Sequence, residues 1–333
     1  MSKPLIMVTG GAGFIGSNIV AALLERGDYD VAVCDRLRTA ASGKWRNLAK
    51  HPIVDFVAPD GLFPWLDAHV ETLAAVVHMG AISATSEPDA DLILHTNFSL
   101  SRDVWDWCAE AGVKLVYASS AATYGDGNLG FSDADDLQSL TRLRPLNPYG
   151  WSKALFDLYA RRQADAGRAP PSWAGLKFFN VYGPNEYHKG GMQSVAAQIW
   201  PVVQAGEGIR LFRSHNPDYA DGGQLRDFVY VKDVAAVVGW LIERDELAGV
   251  YNLGTGKARS FRDLAEAVFA AAGRAPDITY IDTPEVLRAQ YQYFTEADMG
   301  RLRTLGYGTP FASLEAGVGD YIAGYLSQAD RYR

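Results

Sequence analysis

Short apolar runs rich in β-branched residues recur through the first half of the chain, at Leu5–Val8, Val31–Cys34, Ala74–His78 and Lys114–Ala118. Between them, Ser17–Arg26 and Phe98–Ala111 carry apolar residues three or four positions apart, the period of a helix that buries one face. Strands without a polar face must be covered on both sides, and strands that alternate with helices are joined by crossovers. The pattern therefore predicts an α/β fold built on a doubly wound parallel sheet. Phe178–Val181 and Phe228–Val231 read as two further strands of the same kind. In the second half, Pro145, Pro148, Pro170, Pro171, Pro184, Pro201 and Pro217 cut the chain into short elements, and Ser214–Gln224 is predicted to be loop. The expected division is a larger unit over 1–179, with a return segment at about 228–247, and a smaller α/β unit over 180–227 and 248–333.

Length and composition narrow this picture. At 333 residues the chain exceeds the roughly 250–300 at which one core stops growing, in keeping with two units. An apolar fraction of 48% with 21% charged residues is globular rather than disordered. The 31 Lys and Arg against 39 Asp and Glu leave a formal charge of −8, which argues against nucleic acid as a partner. Cys34 and Cys108 are too few for a disulfide framework or a zinc site, so no metal is expected. No apolar run approaches the ~20 residues of a membrane span, and Leu5–Val8 gives way at once to Thr9 and Gly10, unlike a signal peptide. The expectation is a soluble cytoplasmic protein.

Candidate chemistry begins where the first strand ends. Thr9–Gly16 spaces Gly10, Gly13 and Gly16 three apart before an amphipathic helix. Such a turn lets a pyrophosphate approach the backbone, and the N–H groups and dipole of the helix N-terminus favour it. Glycines alone could be only a tight turn. The second strand, however, ends in Asp35, about twenty residues on, where a ribose-binding acid belongs in a Rossmann-type dinucleotide site. Asp35 alone favours NAD, whereas Arg36, Arg38 and Lys44 nearby could neutralise a 2′-phosphate or form a solvated loop. NADP is the expected cofactor, with NAD the alternative.

A second constellation lies at 117–153. Tyr149 and Lys153 stand at i and i+4, on one face of a helix, and Ser119-Ser120 follows the strand Lys114–Ala118 at the carboxyl edge of the sheet. A phenol is a poor base at neutral pH, with a pKa near ~10. An adjacent ammonium and a cationic nicotinamide both stabilise phenolate, so Tyr149 could take a hydroxyl proton as hydride leaves, with Ser120 bonded to the same oxygen. A lone Tyr-x-x-x-Lys is commonly just a helix face; its order after the glycine turn and Ser120 gives it weight.

Taken together, Thr9–Gly16, Asp35, Met79-Gly80-Ala81, Ser119-Ser120, Tyr149 with Lys153, and Phe179–Pro184 make the chain resemble the extended short-chain dehydrogenase/reductase superfamily over nearly its whole length. Ser120–Gly125, Asn185–Met192, Arg226–Val231, Asn252–Gly256 and Tyr291–Thr295 sharpen the resemblance to its nucleotide-sugar epimerases that invert C6 of an ADP-linked heptose, a precursor of lipopolysaccharide core. The resemblance implies transient oxidation to a bound ketone and re-reduction by tightly held NADP. Inversion then needs proton transfer on two sides, and Lys189 matches the second base of this family; otherwise it would steady a phosphate. Phe14, Ile15, Met79, Gly80, Ala81, Ser83, Asn97 and Val181 match cofactor contacts, which also include Tyr149, Lys153 and Lys189. The implied substrate residues are Ser120, Asn180, Gly191, Gln198, the loop Phe212, Arg213, Ser214 and His215, and Arg226 and Tyr291. Arg226 is the natural bidentate partner of the diphosphate, unless it pairs with an acid such as Asp227. The chain departs from the family pattern at Gly191, Gln198, Arg213 and His215 and in an insertion at about 216–223, all on the sugar-nucleotide side.

The same resemblance implies a homo-oligomer, with pentamers expected. A 4,6-dehydratase would need an Asp-Glu pair where Ala121 and Ala122 stand. A UDP-sugar 4-epimerase remains the enzymatic alternative, since it needs only Tyr149 and a rotating ketone. A non-catalytic NADP-binding scaffold should have lost Tyr149 or Lys153, and both are present.

Overall fold

In the computed structural model, which describes residues 3–85, 87–288 and 292–333, seven parallel strands form the main sheet. They are β1 (Leu5–Thr9), β2 (Asp30–Cys34), β3 (Asp55–Val57), β4 (Leu73–His78), β5 (Lys114–Ser120), β6 (Trp173–Phe178) and β11 (Ala248–Leu253), in the order β11-β6-β5-β4-β1-β2-β3. Thr9 lies opposite both Cys34 and His78, and Ser120 opposite Phe178, so the strands finish together along one carboxyl edge. Helices cover both faces, as the near-continuous apolar strands require. Helix Phe14–Arg26 packs on helix Val231–Ile242 over Ile6, Val8 and Val33. On the other face Trp105, Phe156 and Trp173 close over Met7, Leu115 and Tyr117. Cys34 and Cys108 are both buried free thiols.

Two expected strands are placed differently. The run Phe178–Val181 is split, because the backbone leaves the sheet at Phe179, whose N–H donates to Leu253 O at 3.1 Å. It resumes as β7 (Asn180–Tyr182), which pairs in parallel with β10 (Phe228–Tyr230) in a separate two-stranded sheet. Phe228–Val231 therefore does not belong to the main sheet. Its place beside β6 is filled by β11, which continues past the expected return segment at 228–247, and Val231 opens the following helix.

The remainder forms a smaller assembly at the carboxyl edge. Here β8 (Ile209–Phe212) pairs with β13 (Ile278–Ile281), and β9 (Leu225–Arg226) pairs with β12 (Arg259–Ser260). Helices Val195–Gln204, Phe261–Ala271 and Leu314–Tyr321 share an apolar cluster with them around Trp200, Phe269 and Tyr321. Ser214–Gln224 contains neither helix nor strand, as expected, and is pinned by the Ser214 N–H on Asp221 at 2.9 Å.

The outer edge of β11 is occupied by side chains. Asp135 accepts from the Val250 N–H and Asp133 from the Asn252 N–H, each at 2.9 Å, while Arg301 donates to Val250 O at 2.7 Å. Among the described residues no helix is long and apolar enough to cross a membrane, and no cluster of His, Cys, Asp and Glu is suited to a metal.

Candidate active site

The glycine turn is built by close packing. Gly10 has φ +66°, and a Cβ there would stand 2.7 Å from the Gly80 nitrogen; one on Gly16 would stand 2.2 Å from Gly10 O. Only glycine lets β1, the loop after β4 and the first helix approach this closely. Gly13 caps that helix without a side-chain bond, leaving the first-turn N–H groups for a ligand.

Above the turn runs a groove of about 740 Å³. Gly10, Gly13, Phe14, Ile15 and Gly16 form its floor, with Met79, Gly80, Ala81 and Ser83 on one side and Val181 on another. Asp35 and Lys44 stand at one end, Ser120, Tyr149 and Lys153 at the other, and Lys189 faces in from the turn Tyr187–Met192. Arg38, Thr39, Ser42, His188 and Met192 also line it. Arg36 turns away to Asp60, at 3.5 Å on the surface, and Arg38, at φ +61°, faces the groove in its place. Asn97 is buried beneath the wall: its amide bonds the Ile82 N–H at 2.8 Å, Ile82 O at 2.9 Å and Ser152 Oγ at 3.1 Å, so it shapes the 80–84 loop from below.

The acid end is neutralised by this chain. One Asp35 oxygen accepts the Ala12 N–H at 2.9 Å, and the other pairs with the Lys44 ammonium at 2.6 Å. Asn47 ties this end together, donating to Ala12 O at 2.9 Å and to Asn185 O at 3.1 Å. The segment Asp330–Arg333 lies across it: Lys50 donates to Tyr332 O at 2.6 Å and Tyr187 to Arg331 O at 2.7 Å. No sequence signal pointed to this segment, because its partners lie some 145 to 280 positions away.

At the other end, Asn147 caps the helix Pro148–Asp165 by accepting the Gly150 N–H at 2.8 Å. That helix presents Tyr149 and Lys153 to the carboxyl end of β5. The Lys153 ammonium donates to Ala118 O at 2.8 Å, and burial pulls its pKa down to about 8 while Asp157 raises it. Burial raises the Tyr149 phenol, and its hydrogen bond with Ser120 lowers it. Ser120 in turn accepts the Ala122 N–H at 3.1 Å.

Lys189 approaches from elsewhere in the fold. Its turn follows Asn185, held at φ +72°, and its ammonium lies 5.1 Å from the centre of the Phe14 ring. Burial lowers its pKa, and the buried Glu186 carboxylate opposes that fall. Glu186 is anchored by Ser194 Oγ at 2.6 Å and Tyr321 at 3.1 Å. His188 beside it is held neutral, at about 4, first by burial and then by the Lys44 and Lys189 cations.

Of the expected substrate residues, Ser120 lines the groove, and the other described ones form a second group outside its lining. Asn180 and Gly191 are exposed, and Gln198 donates to Gln193 O at 2.7 Å and to Gly191 O at 3.3 Å. Phe212 ends β8; beyond it Arg213 lies between Asp221 and Asp282 at 4.0 and 3.9 Å, Ser214 donates to Asn216 O, and the His215 N–H meets the Tyr293 hydroxyl at 3.0 Å. Arg226 is buried, with one guanidinium nitrogen on Leu225 O at 2.8 Å, another on Gln292 O, and the group 5.6 Å from the Phe261 ring centre. Asp227 accepts from the N–H groups of Thr255, Gly256 and Ala297. Tyr291 lies outside the described residues.

Known proteins share both the sequence and the architecture. A protein of Nitratidesulfovibrio vulgaris strain Hildenborough named ADP-L-glycero-D-manno-heptose-6-epimerase is 52% identical over 334 aligned positions, covering 98% of this chain and 99% of its own. The solved structure of the Helicobacter pylori ADP-L-glycero-D-manno-heptose-6-epimerase superposes with a TM-score of 0.78 at 28% identity, covering 97% of this chain and 96% of that one. A Thermus thermophilus UDP-glucose 4-epimerase, solved with NAD, gives a TM-score of 0.73 at 30% identity over 96% and 98% of the two chains. The model of the NAD dependent epimerase/dehydratase family matches residues 6–254, from the first strand through the last strand of the main sheet. The chain belongs to the NAD dependent epimerase/dehydratase family.

Proposed function

We propose that the protein interconverts ADP-D-glycero-D-manno-heptose and ADP-L-glycero-D-manno-heptose at C6. The observation that carries this reading is that Tyr149 and Lys189 face one groove from two separate elements, in a chain 52% identical to a relative of that name. In this reading residues 1–179, with the return segment at about 228–247, hold a nicotinamide dinucleotide, and 180–227 with 248–333 hold the sugar nucleotide, β11 of the latter being lent to the main sheet.

The fit of the groove to a dinucleotide is supported by the glycine contacts that a Cβ would fill and by the uncapped helix start above them. When bound, a nicotinamide ring would supply reversible hydride exchange with C6 from one side of the site. The chain supplies everything else. Tyr149, with Ser120 on its oxygen, takes the C6 hydroxyl proton, and the Lys153 ammonium stabilises the phenolate. Inversion requires the bound ketone to turn its other face toward the side of hydride exchange before reduction, which places the new hydroxyl oxygen elsewhere in the groove, where Lys189 donates its proton. Its lowered pKa suits the task, since an amine at its usual ~10.4 would hold its proton at neutrality. Arg226, in the second group, is assigned to the diphosphate.

NADP is the dinucleotide proposed. Asp35 spends both oxygens on groups of this chain, and Lys44 cancels its charge, so a 2′-phosphate would meet Lys44 and Arg38 rather than a bare carboxylate. Since no second substrate is consumed, the purified protein is expected to carry NADP; mass spectrometry of the denatured supernatant that found only NAD, or no nicotinamide nucleotide, would reject this assignment. The reading also carries a cytoplasmic location and a homo-oligomer, the latter checked by light scattering.

The reaction itself is tested by proton NMR with ADP-D-glycero-D-manno-heptose and UDP-galactose in parallel. Conversion of the first to its C6 epimer, without turnover of the second, is the expected result. Turnover of UDP-galactose alone would replace this reading with a 4-epimerase.

A further inference from the structure

Asp157 lies one helical turn beyond Lys153, at the same i, i+4 spacing that separates Lys153 from Tyr149. It is fully buried, and its carboxylate accepts three hydrogen bonds: Tyr117 donates to one oxygen at 3.1 Å, Ser119 and Lys177 to the other at 2.7 and 2.8 Å. Lys177 stands opposite Ser119 on β6 and is 1% exposed. Its ammonium also donates to Thr123 Oγ1 at 2.7 Å, and the Thr123 hydroxyl donates to Ser120 O at 2.8 Å. The two charges thus grip the chain on both sides of Ser120, through Ser119 before it and Thr123 after it.

A buried ion pair gives little net stability, because desolvation of both charges offsets their attraction, and a well-packed apolar pair does as well or better. What distinguishes the site is its position directly behind Ser120 and Lys153.

We propose that Asp157 and Lys177 are a positioning pair for the reaction: they lock the strand end that carries Ser120 to the helix that carries Tyr149 and Lys153, and set the field in which Lys153 stays an ammonium. The pair touches neither the groove nor the reacting atoms, and acts through Lys153 and Ser120. Asp157 and His78, the latter at the end of β4, interact electrostatically with Lys153; Tyr149 shares its helix, and Tyr117 on β5 and Lys177 on β6 are tied to Asp157. His78 is held neutral, at about 3, by burial and then by Lys153 itself, and Tyr117 is kept protonated by burial and Asp157. Asp157 is therefore the negative charge of this set and Lys177 the other positive one. Asp157 opposes the burial that pulls Lys153 down to about 8.

The test reads the alkaline limb of kcat, where Lys153 loses its proton, in the cofactor-loaded enzyme. It rests on the epimerase reading, so the wild type is assayed with both ADP-D-glycero-D-manno-heptose and UDP-galactose; turnover of the second alone unseats the proposed substrate while leaving the limb readable. Asp157→Asn removes the negative charge and is expected to lower kcat at least tenfold and move the limb down by about one pH unit. Lys177→Met removes the cation that pairs with Asp157, leaving its charge to act on Lys153, and is expected to move the limb the opposite way. A pair that only stabilised the fold would change amplitude without moving the limb in opposite senses. Shifts of the same sign in both variants, or no shift in either, would overturn the proposal. If one variant fails to retain the dinucleotide, the sign of the other decides. Failure of both to retain it would assign the pair to folding and likewise overturn the proposal.

Discussion

Tyr149→Phe is expected to lower epimerisation by ~10²–10⁴-fold, the usual contribution of a positioned acid–base group, while fold and cofactor content stay as in the wild type. The substitution removes one oxygen. The ring stays on the helix at the groove wall, where Asn147 and Pro148 set the helix start, so the wall keeps its shape. What is lost is the phenol oxygen that hydrogen-bonds Ser120 and exchanges a proton with the sugar hydroxyl in this reading. Coupled NMR turnover and cofactor mass spectrometry on the same sample check both halves of the expectation. Near-full turnover in the variant would show that proton transfer runs through another residue.

Lys189→Ala should have an effect of similar size, ~10²-fold or more on interconversion, but of a different kind. Tyr149, Ser120 and Lys153 form a complete group without it, so hydride removal from one epimer should persist and appear as reduced dinucleotide absorbance in a single turnover. The product of that half-reaction should accumulate rather than emerge inverted. The site is expected to tolerate the change, because the turn is held by Glu186, through Ser194 and Tyr321, and not by the lysine side chain. Unchanged epimerisation would remove Lys189 from the mechanism and leave Tyr149 serving both faces.

Much of this site was legible because its chemistry depends on local spacing. The glycine turn, Asp35 and the Tyr149–Lys153 pair each lie within one strand–loop or helix segment, and each came to the groove. Arg36 illustrates where local reading ends: two neighbouring arginines were equivalent in sequence, and the positive φ of Arg38 decides which one faces in. Asn97 matched a contact position yet acts from beneath, since burial and its bonds to Ile82 cannot be seen in a pattern. Strand β6 escaped the apolar search because it carries Gly175 and Lys177. Both are required by neighbours, the glycine to clear the Tyr117 ring, 2.3 Å from its would-be Cβ, and the lysine to meet Asp157. The place of β11 in the main sheet lies beyond the reach of periodicity, because its partner strand is some seventy positions upstream.

The side chains fastened along β11 have a further consequence, for how copies of this chain can meet. An open sheet edge is a template on which a second strand can lay down main-chain hydrogen bonds, the route to runaway association. Here Asp133, Asp135 and Arg301 already hold the outward N–H and C=O groups of Val250 and the N–H of Asn252. At the far side β3 is only three residues long and begins with an exposed Asp55. Neither margin offers a run of vacant backbone. The margins of the main sheet are therefore poor surfaces for assembly, and a substitution such as Asp135→Ala, outside the groove lining, would uncover a strand edge and invite precipitation.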